Sequence, residues 1–251
     1  MNAEALHISV VSYLNSKPFL FGLRNTIFKS DVIIEEDIPS VCAEKLLLHK
    51  ADIGLVPVTV LPVLKNYKII SDYCIGSRGS VDSVLLLSDV PLNEIKNILL
   101  DYQSRTSVML TKVLAKEFWH ITPEWAETTV NYEKTIAGDV AGVVIGDRAM
   151  AMKKSFNFVY DLSEEWHKFT GLPFVFACWV SIKKLSPDFI FEFNSALKFG
   201  LDSIAQVSQD ESSLNLSPQE ITHYLTKKID FHFDDEKRKA LQLFQEKVGN
   251  I

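Results

Sequence analysis

Three absences narrow the reading before any motif is considered. The chain of 251 residues has no dense run of Lys or Arg, and its formal net charge is −6. A nucleic-acid-binding domain ordinarily carries a basic stripe, so that class is disfavoured. An acidic ligand is not excluded, because a few local donors can outweigh a distant field. No stretch approaches the ~20 consecutive apolar residues of a membrane-spanning helix. The opening string Met1-Asn2-Ala3-Glu4-Ala5-Leu6-His7 lacks a basic segment, and the apolar run at 8–11 is too short for the core of a secretion signal. The expectation is a cytoplasmic protein with no membrane partner.

Cysteine and histidine are scarce and scattered. Cys42, Cys74 and Cys178 form no C-x-x-C pair, so neither a zinc knuckle nor a disulfide framework is supported. Buried thiols in a reducing compartment are expected. The six histidines, His7, His49, His120, His167, His223 and His232, show no metal-ligand spacing. His167 reads as a surface residue rather than a base. There is no G-x-S-x-G elbow, Walker loop or G-x-G-x-x-G. No metal or nucleotide cofactor is therefore expected.

What is present is an ordinary globular composition, 47% apolar and 23% charged, with strand and helix signals in alternation. Short β-branched or apolar runs at 8–11, 32–35, 52–58, 67–70, 81–87, 98–100, 140–145 and 173–180 read as strands. Helices are expected after Pro18, after Pro39 with Ser40 as N-cap, after Pro91, from Ser104 onward, and near 149–152. Leu110, Val113, Leu114 and Phe118 fall at i, i+3, i+4 and i+8, one face of a helix. Beyond Pro187 the pattern is helical, near 187–207, 217–228 and 234–248. Alternation over the first 180 residues argues for parallel sheets covered on both faces. The long extended stretches 81–87 and 174–180 are the natural connections between two lobes. The expected division is 1–87 plus 178–251 for one lobe and 88–177 for an inserted one, with the helical tail packing on the first.

In open α/β sheets ligands bind beyond the carboxyl ends of the strands, and four polar loops fit that place. Ser12 to Lys17 offers Asn15 as donor and acceptor and Tyr13 as ring and hydroxyl; an Asx turn capping the next helix is the plainer alternative. Asp101 to Ser107 places Ser104, Arg105, Thr106 and Ser107 at a helix start, where unpaired amides favour an anion and a guanidinium can grip a carboxylate. Simple capping by Ser104 needs no ligand. The third loop, Gly76-Ser77-Arg78-Gly79-Ser80-Val81-Asp82-Ser83, has two glycines that allow close backbone approach and ends on Ser83. A surface loop is the simpler reading. In Gly146-Asp147 the carboxylate can cap a helix, orient a donor or accept a proton.

Five strings, in order, resemble one family. Val11-Ser12-Tyr13-Leu14-Asn15-Ser16-Lys17-Pro18 is similar to its opening motif and Ala51-Asp52-Ile53-Gly54-Leu55-Val56-Pro57 to its second. Ser104-Arg105-Thr106-Ser107, Val144-Ile145-Gly146-Asp147 and Thr170-Gly171-Leu172-Pro173-Phe174-Val175-Phe176-Ala177 resemble three more, the last being the most specific. The family is the chorismate dehydratases of menaquinone biosynthesis by the futalosine route, and the likeness runs from about residue 8 to 180. It implies a two-lobed α/β fold of the periplasmic-binding-protein-like type II class, with two inter-lobe crossovers. It also implies a cofactor-free hydro-lyase that converts chorismate to 3-[(1-carboxyvinyl)oxy]benzoate. By the same resemblance Asn15 and Ser83 touch the reacting centre. Thr106 and Ser107 cradle a carboxylate, and Tyr13, Ser104, Arg105, Asp147, Thr170 and Gly171 complete the substrate-binding set. The proton acceptor is left open between the substrate's own carboxylate and Asp147. Two other readings stand beside this one: a non-catalytic cytosolic binder or sensor of small anions, and the sibling enzyme that makes dihydroxynaphthoate from a cyclic futalosine derivative.

Overall fold

The computed structural model describes residues 5–211 and 216–251. Residues 1–4, part of the string read for a secretion signal, lie outside this range. Along the chain come β1 (Leu6–Val11), α1 (Lys17–Arg24), β2 (Val32–Asp37), α2 (Pro39–Leu47), β3 (Ile53–Pro57) and β4 (Lys68–Ser77). They are followed by β5 (Val84–Ser88), β6 (Asn97–Leu100), α3 (Arg105–Leu114), β7 (Glu124–Glu127), β8 (Val140–Ile145), α4 (Gly146–Met152), β9 (Phe158–Asp161) and α5 (Leu162–Thr170). Last come β10 (Phe174–Ser181), α6 (Pro187–Asp202), α7 (Ile204–Asp210), α8 (Pro218–His223), β11 (Asp230–His232) and α9 (Asp235–Val248). Among the described residues no helix is long and apolar enough to cross a membrane.

The chain forms two compact units, 1–76 with 176–234, and 77–175 with 235–251. In the first, six strands run in the order β11-β4-β10-β3-β1-β2. β1 pairs in parallel with both β2 and β3, whereas β10 is antiparallel to β3. All five residues of β3 are buried, the pattern of a strand covered on both faces. Aromatic rings fill one side: Phe19 meets Trp179 at 5.8 Å and Phe231 at 5.2 Å, and Trp179 meets Phe193 at 5.0 Å, all edge to face. Such pairs add about 0.5–1.5 kcal/mol to the area they bury. Helices α1 and α6 cross at two glycines. A Cβ on Gly22 would lie 1.9 Å from the Ala196 carbonyl oxygen, and one on Gly200 would lie 1.8 Å from that of Pro18. The two backbones touch there.

In the second unit five strands run β7-β6-β8-β5-β9. β6 is parallel to β7 and β8, and β5 is antiparallel to both of its neighbours, β8 and β9. Each sheet is thus mixed, not purely parallel as the alternation of elements suggested. The unit boundaries also differ from the expected ones. Val84–Ser88 is hydrogen-bonded on both sides within the second sheet, so the first passage between units falls at 76/77 and not at 87/88. The stretch read as one strand from Val81 begins its pairing at Val84, because Asp82 takes a left-handed φ of 63°. A third passage follows β11 and brings α9 into the second unit rather than the first. Its Phe244 packs edge to face on Trp166 at 5.8 Å and on Phe174 at 5.0 Å, and Lys247 pairs with Glu117. Ser40 does not cap α2: Pro39 occupies the first turn and Ile38 the cap position. The three cysteines are buried, and burial pushes the Cys42 thiol up to about 12.

The α1–α6 crossing gives the first prediction. Gly200→Ala forces the two backbones apart and costs about 2–3 kcal/mol, lowering the melting temperature by about 4–12 °C. An unchanged melting curve contradicts the contact.

Candidate functional site

In the second unit the strand directions gather three expected segments at one edge of the sheet. β6 and β8 are parallel and both end there, at Leu100 and Ile145, while antiparallel β5 begins there with Val84 opposite Ile145. Ser83 therefore stands at the same edge as Asp101–Ser107 and Gly146-Asp147. The Gly146 N–H donates to the Ser83 carbonyl at 2.7 Å. β9, antiparallel to β5, also ends at this edge, with Asp161 opposite Leu85.

The start of α3 is built as its sequence suggests. The Ser104 hydroxyl accepts the Ser107 N–H at 3.0 Å, a standard N-cap, and Ser104, Thr106 and Ser107 are all buried. Arg105 is exposed. Asp147 lies in the first turn of α4 and is half-buried. Ser83 is buried, 1% exposed. These residues share one edge. Thr170 and Gly171 do not: they close the far end of α5. The Thr170 hydroxyl donates to Trp166 O at 2.9 Å, and Gly171 caps the helix at a φ of 72°. That left-handed position suits glycine.

Tyr13 and Asn15 belong to the first unit, in the loop after β1. The Ser12 N–H donates to Asp37 O at 2.9 Å, which ties the loop to the end of β2, and Tyr13 O accepts from the Ser16 N–H. The Asn15 side-chain oxygen accepts from the Ser16 hydroxyl at 3.0 Å. Both Tyr13 and Asn15 are partly exposed. A shallow groove of about 400 Å³ in this unit, lined by Ala205, Gln209, Pro218, Thr222 and Lys227 among others, includes none of the expected residues.

Two buried carboxylates at the edge of the second sheet were not singled out from sequence. Asp101 accepts Arg148 Nη2 at 2.8 and 3.0 Å, the Tyr132 hydroxyl at 3.0 Å, and the N–H groups of Gln103 and Ile145 at 2.9 and 3.1 Å. Arg148 also pairs with Glu133 and lies over the Tyr102 and Tyr132 rings. Burial acts most strongly on Arg148 and lowers its pKa, but the charge and hydrogen bond of Asp101, together with Tyr132 and Glu133, outweigh it and raise the value. Burial, reinforced by Asp101, raises that of Tyr132. Asp161 is 7% exposed and binds four N–H groups. One oxygen takes those of Val81 and Asp82 at 2.8 and 2.7 Å, and the other those of Ser163 and Glu164 at 3.1 and 3.2 Å. Burial pushes the Asp161 carboxyl up to about 6, although the N–H donors pull the other way. Its signal was available: Asp161-Leu162-Ser163-Glu164 is a cap residue followed three positions later by Glu. Nothing local could have paired Asp101 with Arg148, which are 47 residues apart. Among the described residues no three His, Cys, Asp or Glu side chains cluster as a metal site.

The family model described as menaquinone biosynthesis matches residues 6–250. The chain belongs to the menaquinone biosynthesis family. A curated relative, the chorismate dehydratase of Thermus thermophilus, is 29% identical over 226 residues, covering 81% of this chain and 82% of its own. Among solved structures, a protein from Archaeoglobus fulgidus matches with a TM-score of 0.72 at 14% identity, covering 100% of this chain and 98% of that one. A Candida albicans gene product with the generic periplasmic binding protein fold matches at 0.66 and 14%, over 99% and 91% of the two chains. The alkanesulfonate-binding protein of Xanthomonas axonopodis pv. citri, solved with MOPS, matches at 0.63 and 16%, over 98% and 94%. The fold is thus periplasmic-binding-protein-like, with two sheets and two units, as the family resemblance implied.

The Asp101–Arg148 pair can be tested apart from activity. Arg148→Met leaves a buried carboxylate without its cation and costs about 3–5 kcal/mol. Adding Asp101→Asn to that variant restores part of the loss. Urea titration showing additive losses in the double variant contradicts the pairing.

Proposed function

We propose that this member of the menaquinone biosynthesis family is a chorismate dehydratase, a hydro-lyase that turns chorismate into 3-[(1-carboxyvinyl)oxy]benzoate. What carries the reading is the match along 81% of the chain to a relative bearing that name, within a family match from residue 6 to 250. The geometry supports it through the strand edge that holds Ser83, the capped start of α3 and Asp147.

The chemistry makes modest demands. A proton leaves ring carbon C3 and hydroxide leaves C4; together they form water and the ring becomes aromatic. The thermodynamic drive resides in the substrate, so the protein has to hold two carboxylates, align the breaking bonds and assist one proton transfer. Thr106 and Ser107 lie at a helix start, where the macrodipole favours an anion, and they bind a carboxylate. Ser83 hydrogen-bonds a carboxylate or the departing hydroxyl, and Asn15 orients the ring. Tyr13, Ser104 and Arg105 support binding. Thr170 and Gly171 act indirectly, by ending α5. The proton goes to the substrate's own carboxylate or to Asp147.

Purified protein mixed with chorismate, without added cofactor, yields the carboxyvinyloxy-benzoate by mass spectrometry. Asn15→Ala and Ser83→Ala each lower turnover by about 100-fold or more and shift the melting temperature by about 2 °C or less. Asp147→Asn separates the two proton acceptors, since turnover persists if the substrate carboxylate takes the proton. Chorismate recovered unchanged from folded protein overturns the proposal. Tight binding without conversion identifies an anion binder, and turnover of a cyclic futalosine derivative alone identifies the sibling synthase.

A further inference from the structure

Ser83 has a support that sequence reading did not assign. The two peptide N–H groups just before it, those of Val81 and Asp82, both point at one oxygen of Asp161. Asp82 has a φ of 63°, and successive N–H groups in such a turn converge as an anion-binding nest. Here the anion is a side chain of the protein. The second oxygen of Asp161 caps α5 through the N–H groups of Ser163 and Glu164. One carboxylate therefore joins the residues immediately ahead of Ser83 to the first turn of a helix that packs on β5 and β9. The far side of the turn is fixed as well: Asp82 pairs with Lys153 at 2.6 Å, and Ser83 O receives the Gly146 N–H.

We infer that Asp161 is a positioning residue for Ser83: its ionised carboxylate clamps the 81–82 turn to α5 and so fixes the backbone that presents the Ser83 hydroxyl. The inference rests on the dehydratase reading for its link to turnover, whereas the clamp itself does not. All four hydrogen bonds require acceptor oxygens. A proton on Asp161 turns one acceptor site into a donor facing N–H groups, which opens one arm of the clamp. The charged groups around it are Asp82, balanced by Lys153, and on α5 Glu164 and Glu165, both paired with Lys168. Burial and the Asp82 charge both act to raise the Asp161 pKa, toward about 6, so the clamp loosens as the pH falls through that value. Global stability follows the opposite sign for this group. A folded-state pKa above the unfolded one means that its contribution is greatest at low pH and is lost as pH rises through about 6. A merely structural role moves turnover and stability together, whereas a clamp on Ser83 separates them.

The test uses the full chain with Asp161→Asn, and with Asp161→Ser, which retains a helix cap but has no second oxygen for the turn. Chorismate turnover and amide hydrogen exchange at Val81 and Asp82 are measured between about pH 5 and 8, a range that brackets the folded-state value. In the wild type, kcat and the protection of both amides fall together below about pH 6. In each variant kcat is about 10- to 100-fold lower, KM changes less than kcat, the acid limb near pH 6 is gone, and both amides exchange faster at about pH 7.5. Variants that keep wild-type kcat, an acid limb near pH 6 and full amide protection overturn the inference. Should neither variant fold, the pH dependence of exchange in the wild type decides, and protection unchanged from about pH 7.5 to 5 refutes the clamp. If the wild type does not convert chorismate, the proposed function fails, and exchange still decides whether Asp161 holds the turn.

Discussion

A carboxylate taken out of water has to find donors for its lone pairs, or it will not stay ionised. In the second unit two such groups, Asp101 and Asp161, find theirs at the same edge of one sheet. Asp101 collects a guanidinium, a phenol and two peptide N–H groups, and Asp161 collects four peptide N–H groups. The donors come from the segment after β6, the end of β8 and the helix that follows it, the turn before β5 and the start of α5, with Tyr132 reaching in from between β7 and β8. Satisfying the two charges therefore fixes every loop that carries an expected site residue of this edge. Loops at strand ends are otherwise the least constrained part of an α/β sheet, and here they are tied from beneath by charge-assisted hydrogen bonds.

This arrangement suits a reaction in which the protein's main task is to hold a substrate still. When aromatisation supplies the drive, orientation and well-aimed donors account for much of the barrier lowering available to an enzyme. The same helix start and hydroxyls also suit plain anion binding, as in the alkanesulfonate-binding protein that shares the fold. Fold therefore does not separate catalysis from binding. The family match and the named relative move the proposal from binding to dehydration.

Much of the architecture was legible because the buried strands are short β-branched runs closed by Pro, Gly or Asp. The strands that escaped, β7, β9 and β11, each lie at a sheet edge. Edge strands such as Glu-Trp-Ala-Glu need not bury both faces and carry charges that guard against further pairing, so their pattern is weak. The unit boundary was misplaced because a long apolar run looks the same as a connector or as an inner strand; only its partners, β8 and β9, show that β5 is the latter. The tail helix could not be assigned to a unit from its own sequence, since Phe244 finds Trp166 and Phe174 far away along the chain. At the site, Ser104 was readable as a cap because capping is local. Thr170 and Gly171 stood out by resemblance, yet they serve a helix end. Asp101 with Arg148 depends on tertiary pairing that no spacing rule reports. Asp161 carried a readable capping signature, but its second task, holding the turn before Ser83, exists only once β9 lies beside β5.

The most direct measurement is a crystal structure with 3-[(1-carboxyvinyl)oxy]benzoate bound. The account predicts a carboxylate of the ligand at the start of α3, in contact with Thr106 or Ser107, and a hydrogen bond from the Ser83 hydroxyl to the ligand. A ligand seated away from this edge, with Ser83, Thr106 and Ser107 making no contact to it, contradicts the account.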